Sequence, residues 1–203
     1  MAKIDILAPF IFSYEGGYGN DPADKGGPTN RGVTLATWRM YGYDKNGDGK
    51  IDEKDVRLIS EKDATNIMKK RFWDVWLGDQ IKDQSLANTL VDWLWASGKW
   101  GIIRPQRLLG VKADGIVGPK TLAALNAQDP EKFFAKIKED RKRYISEIVN
   151  SSVRKYEKKI GRKATYKEKM TWTNLRFQNG WLKRLNGIGY GWLKDGYGRV
   201  TRF

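Results

Sequence analysis

Between Gly16 and Gly32 the chain reads GGYGNDPADKGGPTNRG, a run so dense in Gly, Pro, Asn and Asp that neither a helix nor a long strand can pass through it. Turns and a short β-ribbon are what such a stretch allows. It follows directly on a periodic segment: Ile6, Leu7, Phe10, Ile11 and Tyr14 recur at helical spacing, Pro9 is tolerated near a helix start, and Gly16 and Gly17 stop the element. Glu15 is thereby placed on the last turn of a helix, at the edge of a loop of the kind that often carries function on a rigid scaffold.

Beyond Gly32 the pattern is predominantly helical, so the fold class expected is mainly α with a ribbon after the first helix. A short helix is predicted over Thr34 to Tyr41. Ser60, with Asp63 three residues on, caps a second helix running to Trp76. LANTLVDWLWAS, from Leu86 to Ser97, is almost wholly apolar and belongs in the core, with Asp92 as its exception. Residues 102–126 form a helix–turn–helix unit around Asp114 and Gly115, with Pro119 opening its second helix. Asp129 and Pro130 open a long basic helix to about Lys159, and another helix is predicted over Thr165 to Leu185. The tail repeats GWLK at 180–183 and 191–194, which could be two aromatic platforms or two turns that anchor the terminus; anchoring is preferred.

The chain of 203 residues contains neither Cys nor His. Disulfides, thiolate metal sites, imidazole metal sites and the usual Ser or Cys triads are excluded together, leaving carboxylates, Lys and Tyr for acid–base work. Glu15 is the best placed carboxylate. The negative end of the helix dipole and the apolar bodies of Phe12, Tyr14 and Tyr18 are both expected to disfavour its ionisation, which suits a general acid. Glycoside hydrolysis needs such a donor and a second carboxylate, which Asp21 or Asp24 in the adjacent loop can supply. Nine Trp are more than a core of this size readily buries with every N–H satisfied, so some are expected to line a groove.

The net charge of +14 is concentrated at one end: residues 131–203 hold 20 Lys/Arg against 7 Asp/Glu, and residues 1–130 hold 18 against 17. A surface of that sign suits a polyanion such as an anionic wall polymer, and a nucleic acid is the less favoured partner because the charge is separated from the motif-bearing half. No apolar run approaches the roughly 18–20 residues of a membrane span.

DKNGDGKIDEKD, at 44–55, matches a calcium-loop template, with Asp44, Asn46 and Asp48 at the first, third and fifth places and Gly49 at the sixth. The carbonyl of Lys50, then Asp52 and Asp55, complete it. The pattern resembles an EF-hand or dockerin-type loop. Asp in place of the usual Glu at the last position shortens the reach to the ion, so binding is expected to be weak, in the ~10⁻⁴–10⁻³ M range of extracellular modules. A structural calcium ion is expected on this reading, and no cofactor for catalysis; the alternative is an unliganded acidic turn.

The string EGGYGNDPADKGGPTNRGVT, Glu15 to Thr34, resembles the signature of the bacterial and phage muramidases of glycoside hydrolase family 108. More distantly, it is similar to phage lysozymes, in which a Glu at a helix end is followed by an Asp and a Thr across a glycine-rich ribbon. The resemblance implies a lysozyme-like fold, peptidoglycan as substrate, Glu15 as catalytic acid, Asp24 as an electrostatic helper, and Thr29 or Thr34 as the group that positions water. VDWLWASG at 91–98 is similar to the family's buried helix, where Asp92 either orients the site or pairs with an Arg in the core. Residues 106–126 resemble a peptidoglycan-binding module, most recognisably in DGIVGPKT. Tyr18, Asp21, Asp92 and Asp114 are the substrate-binding candidates.

The organisation expected is a catalytic region at 1–101, carrying the loop at 44–55 as an insertion, and a peptidoglycan-binding-like region with basic helices at 102–203, packed as one unit and monomeric. The leading function is an endo-acting muramidase that works on the wall outside the cytoplasm. MAKIDILAPFIFSYEGG lacks the features of a signal peptide, so release through a holin-type lesion or non-classical export is expected. Lytic transglycosylation and non-catalytic wall binding are the competing readings.

Overall fold

The computed structural model describes residues 1–19 and 27–203; Asp21 and Asp24 lie outside the described residues. Among the described residues 63% are helical, in ten α-helices together with π-helical and 3-10 turns, and there are one two-stranded and one three-stranded sheet, so the fold is mainly α and lysozyme-like.

Helix α1 spans Ile4–Tyr14 and buries Leu7, Phe10 and Ile11. Pro9 lies inside the helix rather than in its first turn. Glu15 stands one residue beyond the last turn, as the C-cap, in extended backbone with its N–H donating to the Phe12 carbonyl. The expected ribbon is a hairpin of β1, Thr29–Asn30, and β2, Val33–Thr34, with Thr29 opposite Thr34 and Asn30 opposite Val33. Its two-residue loop puts both Arg31 and Gly32 at positive φ, 50° and 75°, which matches the right-handed twist of paired strands.

Helix α2, Leu35–Tyr41, is capped by the Thr34 hydroxyl. The loop at 44–55 leads into α3, Glu53–Arg57. Ser60 and Asp63 form the expected capping box on α4, Glu61–Met68, beyond which the chain continues as a π-helical turn to Trp73 and a 3-10 turn to Trp76. Helix α5, Gln84–Ser97, is the axis of the core: all residues from Ser85 to Leu94 are buried, and it packs against α6, Trp100–Leu108, and α8, Pro130–Ile160. Helix α7, Pro119–Asn126, starts on its proline as expected. Trp38, Trp73, Trp76 and Trp93 are fully buried.

The single helix expected over Thr165 to Leu185 is two, α9 at Tyr166–Trp172 and α10 at Leu175–Asn186. Thr173 breaks it: the residue is extended, its hydroxyl takes the Lys169 carbonyl and offers its oxygen to the Leu175 N–H, and the Asn174 N–H turns to Ser152 Oγ. Such side-chain bonds offer the backbone an alternative to the helical ladder. The tail is a meander of β3 Ile188–Gly189, β4 Trp192–Lys194 and β5 Val200–Arg202. Among the described residues no helix is long and apolar enough to cross a membrane.

Candidate active site

Four charged side chains from four helices or their ends meet behind the β1–β2 hairpin. Asp92, on α5, is fully buried; its Oδ2 accepts from Arg141 Nη2 of α8 at 2.6 Å, and its Oδ1 from Arg184 Nε and Nη2 of α10 at 2.9 and 2.8 Å. The remaining Arg184 nitrogen, Nη1, donates to Glu15 Oε1 at 3.1 Å. Trp95 Nε1, also on α5, donates to the same oxygen at 2.9 Å. Two carboxylates and two guanidiniums balance in charge, which is the condition under which ions can be kept away from water. The planar fork of Arg184 allows one residue to grip Asp92 and Glu15 together.

Burial alone would raise the Asp92 pKa, but the charges and hydrogen bonds of Arg184 and Arg141 outweigh it and hold the group below the usual carboxylate range. Arg184 is opposed by burial and held above its ordinary value by Asp92 and Glu15. Asp92 therefore pairs with core arginines, one of which, Arg184, also bonds Glu15; fully buried, it does not reach a bound substrate as the sequence reading expected.

The hairpin closes the other side. A Cβ added to Gly32 would stand 2.7 Å from Trp95 Cζ2 and 3.3 Å from Glu15 Cγ, so Gly32 is required both by its positive φ and by the approach of the indole and the carboxyl stem. The Glu15 side chain keeps 26% exposure, and among the described residues its Oε2 has no hydrogen-bond partner. One oxygen is held, and the side chain as a whole is partly exposed.

The other candidates are spread out. Thr34 Oγ1 is engaged in capping α2, accepting from the Thr37 N–H at 3.2 Å, and Thr29 Oγ1 donates to the Gly27 carbonyl at 3.2 Å. Tyr18 lies under the Arg57 guanidinium, 4.3 Å from its ring centre, with a buried hydroxyl that has no partner among the described residues. Asp114 is remote from Glu15 in its own turn, where it accepts from the Ile116 N–H and from Gln106 Nε2; the Ile116 bond is the main reason its pKa lies below the usual range.

The loop at 44–55 is closed on its own backbone. Asp44 accepts the N–H groups of Gly47 and Gly49, Asn46 that of Asp48, and Asp48 that of Lys50. Asp52 caps α3 through the Lys54 N–H. Asp55 is fully buried, and both its oxygens take backbone N–H groups, from Lys45 and Asn46 on one side and Asp52 on the other. Among the described residues no three acidic side chains converge to hold a metal ion. The donor set fits calcium only if Asp55 gives up these contacts.

Residues 8–98 match the family model described as Glycosyl hydrolase 108, and residues 100–186 match that described as Predicted Peptidoglycan domain. Glycosyl hydrolase 108 is a family of peptidoglycan hydrolases, and the two matches together pair a glycoside hydrolase region with a peptidoglycan domain. The solved structure of SagA from Brucella abortus shares the fold, with a TM-score of 0.63 and 24% identity over 91% of this chain and 90% of that one. No curated protein matches the chain. Against these boundaries, Glu15, Asp92 and Trp95 come from the first matched region, while Arg141 and Arg184 come from the second.

Sequence reasoning missed Arg184 and Trp95. Arg184 is one of 20 basic residues in its third of the chain, and nothing local marks it out. A signal did exist at the other end of the contact, because a lone Asp in an otherwise apolar helix demands a buried cation.

Proposed function

We propose that this chain is an endo-acting N-acetylmuramidase that cleaves the β-1,4 bond between N-acetylmuramic acid and N-acetylglucosamine, with Glu15 as general acid. The observation that carries the proposal is the grip of Trp95 and Arg184 on Glu15 Oε1 beside an Oε2 that has no partner among the described residues. A carboxyl group fixed in this way presents one oxygen, in one orientation, to the glycosidic oxygen of a bound strand, and proton transfer from a positioned group is worth about 10²–10⁴ in rate.

Asp24 is proposed as the second carboxylate, stabilising positive charge at the sugar or guiding water. Water positioning falls to Thr29, whose hydroxyl oxygen retains acceptor capacity, rather than to Thr34, which is engaged in its cap. Peptidoglycan is the partner, the basic C-terminal third adds attraction to anionic wall polymers, and action is outside the cytoplasm by a monomer whose two regions work as one unit. Calcium at 44–55 is proposed as a stabilising ligand on the spacing of its donors, with Asp55 turning from backbone to ion.

Digestion of purified peptidoglycan followed by analysis of the new chain ends tests the proposal. Reducing muramic acid ends are expected; anhydromuramic ends would make the enzyme a lytic transglycosylase, and reducing glucosamine ends would move the cut to the other bond. Intact strands that nonetheless bind the protein would leave a wall-binding function alone.

A further inference from the structure

Neither family match extends to the C-terminal meander, residues 188–203, although it is fastened to the end of the helix that presents Glu15. The Tyr14 hydroxyl donates to the Lys194 carbonyl at 3.2 Å, and the Gly196 N–H donates to Ser13 Oγ at 2.8 Å. The fit is close: a Cβ at Gly196 would lie 2.4 Å from the Ser13 carbonyl oxygen, and one at Gly187 would lie 2.9 Å from the Tyr14 hydroxyl.

Between the meander and α10 lies an open basin of about 610 Å³, walled by Tyr14, Lys183, Asn186, Trp192, Lys194 and Tyr197. Both GWLK repeats contribute to it, the first through Lys183 and the second through Trp192 and Lys194. Among the described residues neither lysine has an ion-pair partner and both are exposed. Asp195, the acid at the basin's edge, is already occupied: Arg199 Nε donates to it at 2.6 Å, and the N–H groups of Tyr197 and Arg199 at 3.0 and 2.8 Å. The basin therefore presents two uncompensated ammonium groups and the Asn186 amide beside an exposed tyrosine ring. Two of its residues, Tyr14 and Lys183, directly precede Glu15 and Arg184 in the chain.

We propose that this basin binds the carboxylate-bearing stem peptide of the muramic acid residue next to the scissile bond. The inference rests on the muramidase reading for the identity of the polymer. A cationic basin walled in part by Tyr14, the residue before the acid, suits an anion attached covalently near the bond to be cut, and in peptidoglycan the stem-peptide carboxylate is such an anion. Free phosphate polymers of the wall have no fixed position relative to Glu15.

The test uses the full chain carrying Glu15→Gln, so that ligands survive, with and without Lys183→Glu and Lys194→Glu. Binding is measured to a soluble muropeptide, to the same muropeptide with its carboxylates amidated, and to a phosphodiester wall polymer. The expected result is that amidation and charge reversal each weaken muropeptide binding by about tenfold, and that amidation costs the reversed variant nothing further, as expected for two modest exposed charge pairs. Equal affinity for the native and amidated muropeptides would overturn the proposal, as would a lysine effect confined to the phosphodiester polymer. Melting curves establish that the reversed variant is folded. Cleavage by the wild type is scored separately: cleavage without any carboxylate effect removes this inference alone, whereas absence of cleavage removes the muramidase reading and leaves the binding result standing on its own.

Discussion

Two of the places where the chain holds carboxylates are built in opposite ways. In the loop at 44–55 Asp44, Asp48, Asp52 and Asp55 are answered within the segment itself, by N–H groups two to ten residues away. At Asp92 the partners are Arg141 and Arg184, 49 and 92 residues along the chain, and the arrangement exists only when α5, α8 and α10 are packed. The first is a self-contained turn. The second is a joint between the two regions that the family models match, and because Arg184 also holds Glu15, it makes the geometry of the acid depend on that joint.

The largest test of this contrast is Asp92→Asn. Removing one charge from a buried, matched set leaves a cation without its partner, which typically costs about 3–5 kcal/mol. Denaturant unfolding is expected to show a loss of that size, and a cost below about 1 kcal/mol would mean that the joint is not a unit of stability. The pH dependence of the same difference sharpens it. The folded pKa of Asp92 is depressed, so its contribution is fully present above the unfolded value, near 4, and is lost as pH falls through the lower folded value. Wild type and Asp92→Asn should therefore differ fully at pH 6 and converge as the pH falls below about 4. Divergence on acidification would reverse the assignment.

Arg184→Lys comes next. A lysine retains the charge but cannot present a planar fork to Asp92 and Glu15 at once. Misplacement of a catalytic group by about 1 Å can cost roughly 10²-fold, so kcat should fall by about that factor with a smaller change in KM. A rise in KM alone would show that Arg184 binds substrate rather than positioning Glu15. The smallest effect is expected at the loop. A weak site near saturation adds about 1 kcal/mol or less, so a few millimolar calcium should raise the melting temperature slightly, and Asp44→Ala should abolish the rise. An identical melting temperature in calcium and in chelator would leave the loop a plain acidic turn.

The same contrast explains what could be read from the sequence. The Ser60–Asp63 box, Pro119 and Asp129–Pro130 all start helices where expected, because a cap is satisfied within four residues of itself. Glu15 was legible for the same reason, since the helix and the glycines that stop it are its neighbours. The break at Thr173 was not, because the next N–H, that of Asn174, turns to Ser152, 22 residues away from it and on another helix. Nor were the grips of Trp95 and Arg184, which span 80 and 169 residues. The two GWLK units were expected to be turns that anchor the terminus; the second meets α1 through Lys194, but the first is not a turn and lies inside α10. The meander of the tail went unseen because strands of two or three residues, flanked by Gly, carry too little alternation to register.

The central claim is that Glu15, held by the cluster, is the proton donor. Wild type and Glu15→Gln are compared in the clearing of a peptidoglycan suspension, with matched melting curves. Glutamine keeps the carbonyl oxygen that accepts from Trp95 and Arg184 but loses the acid, so the variant should stay folded while its rate falls by about 10²–10⁴. Clearing by folded Glu15→Gln at a rate near that of wild type would contradict the account.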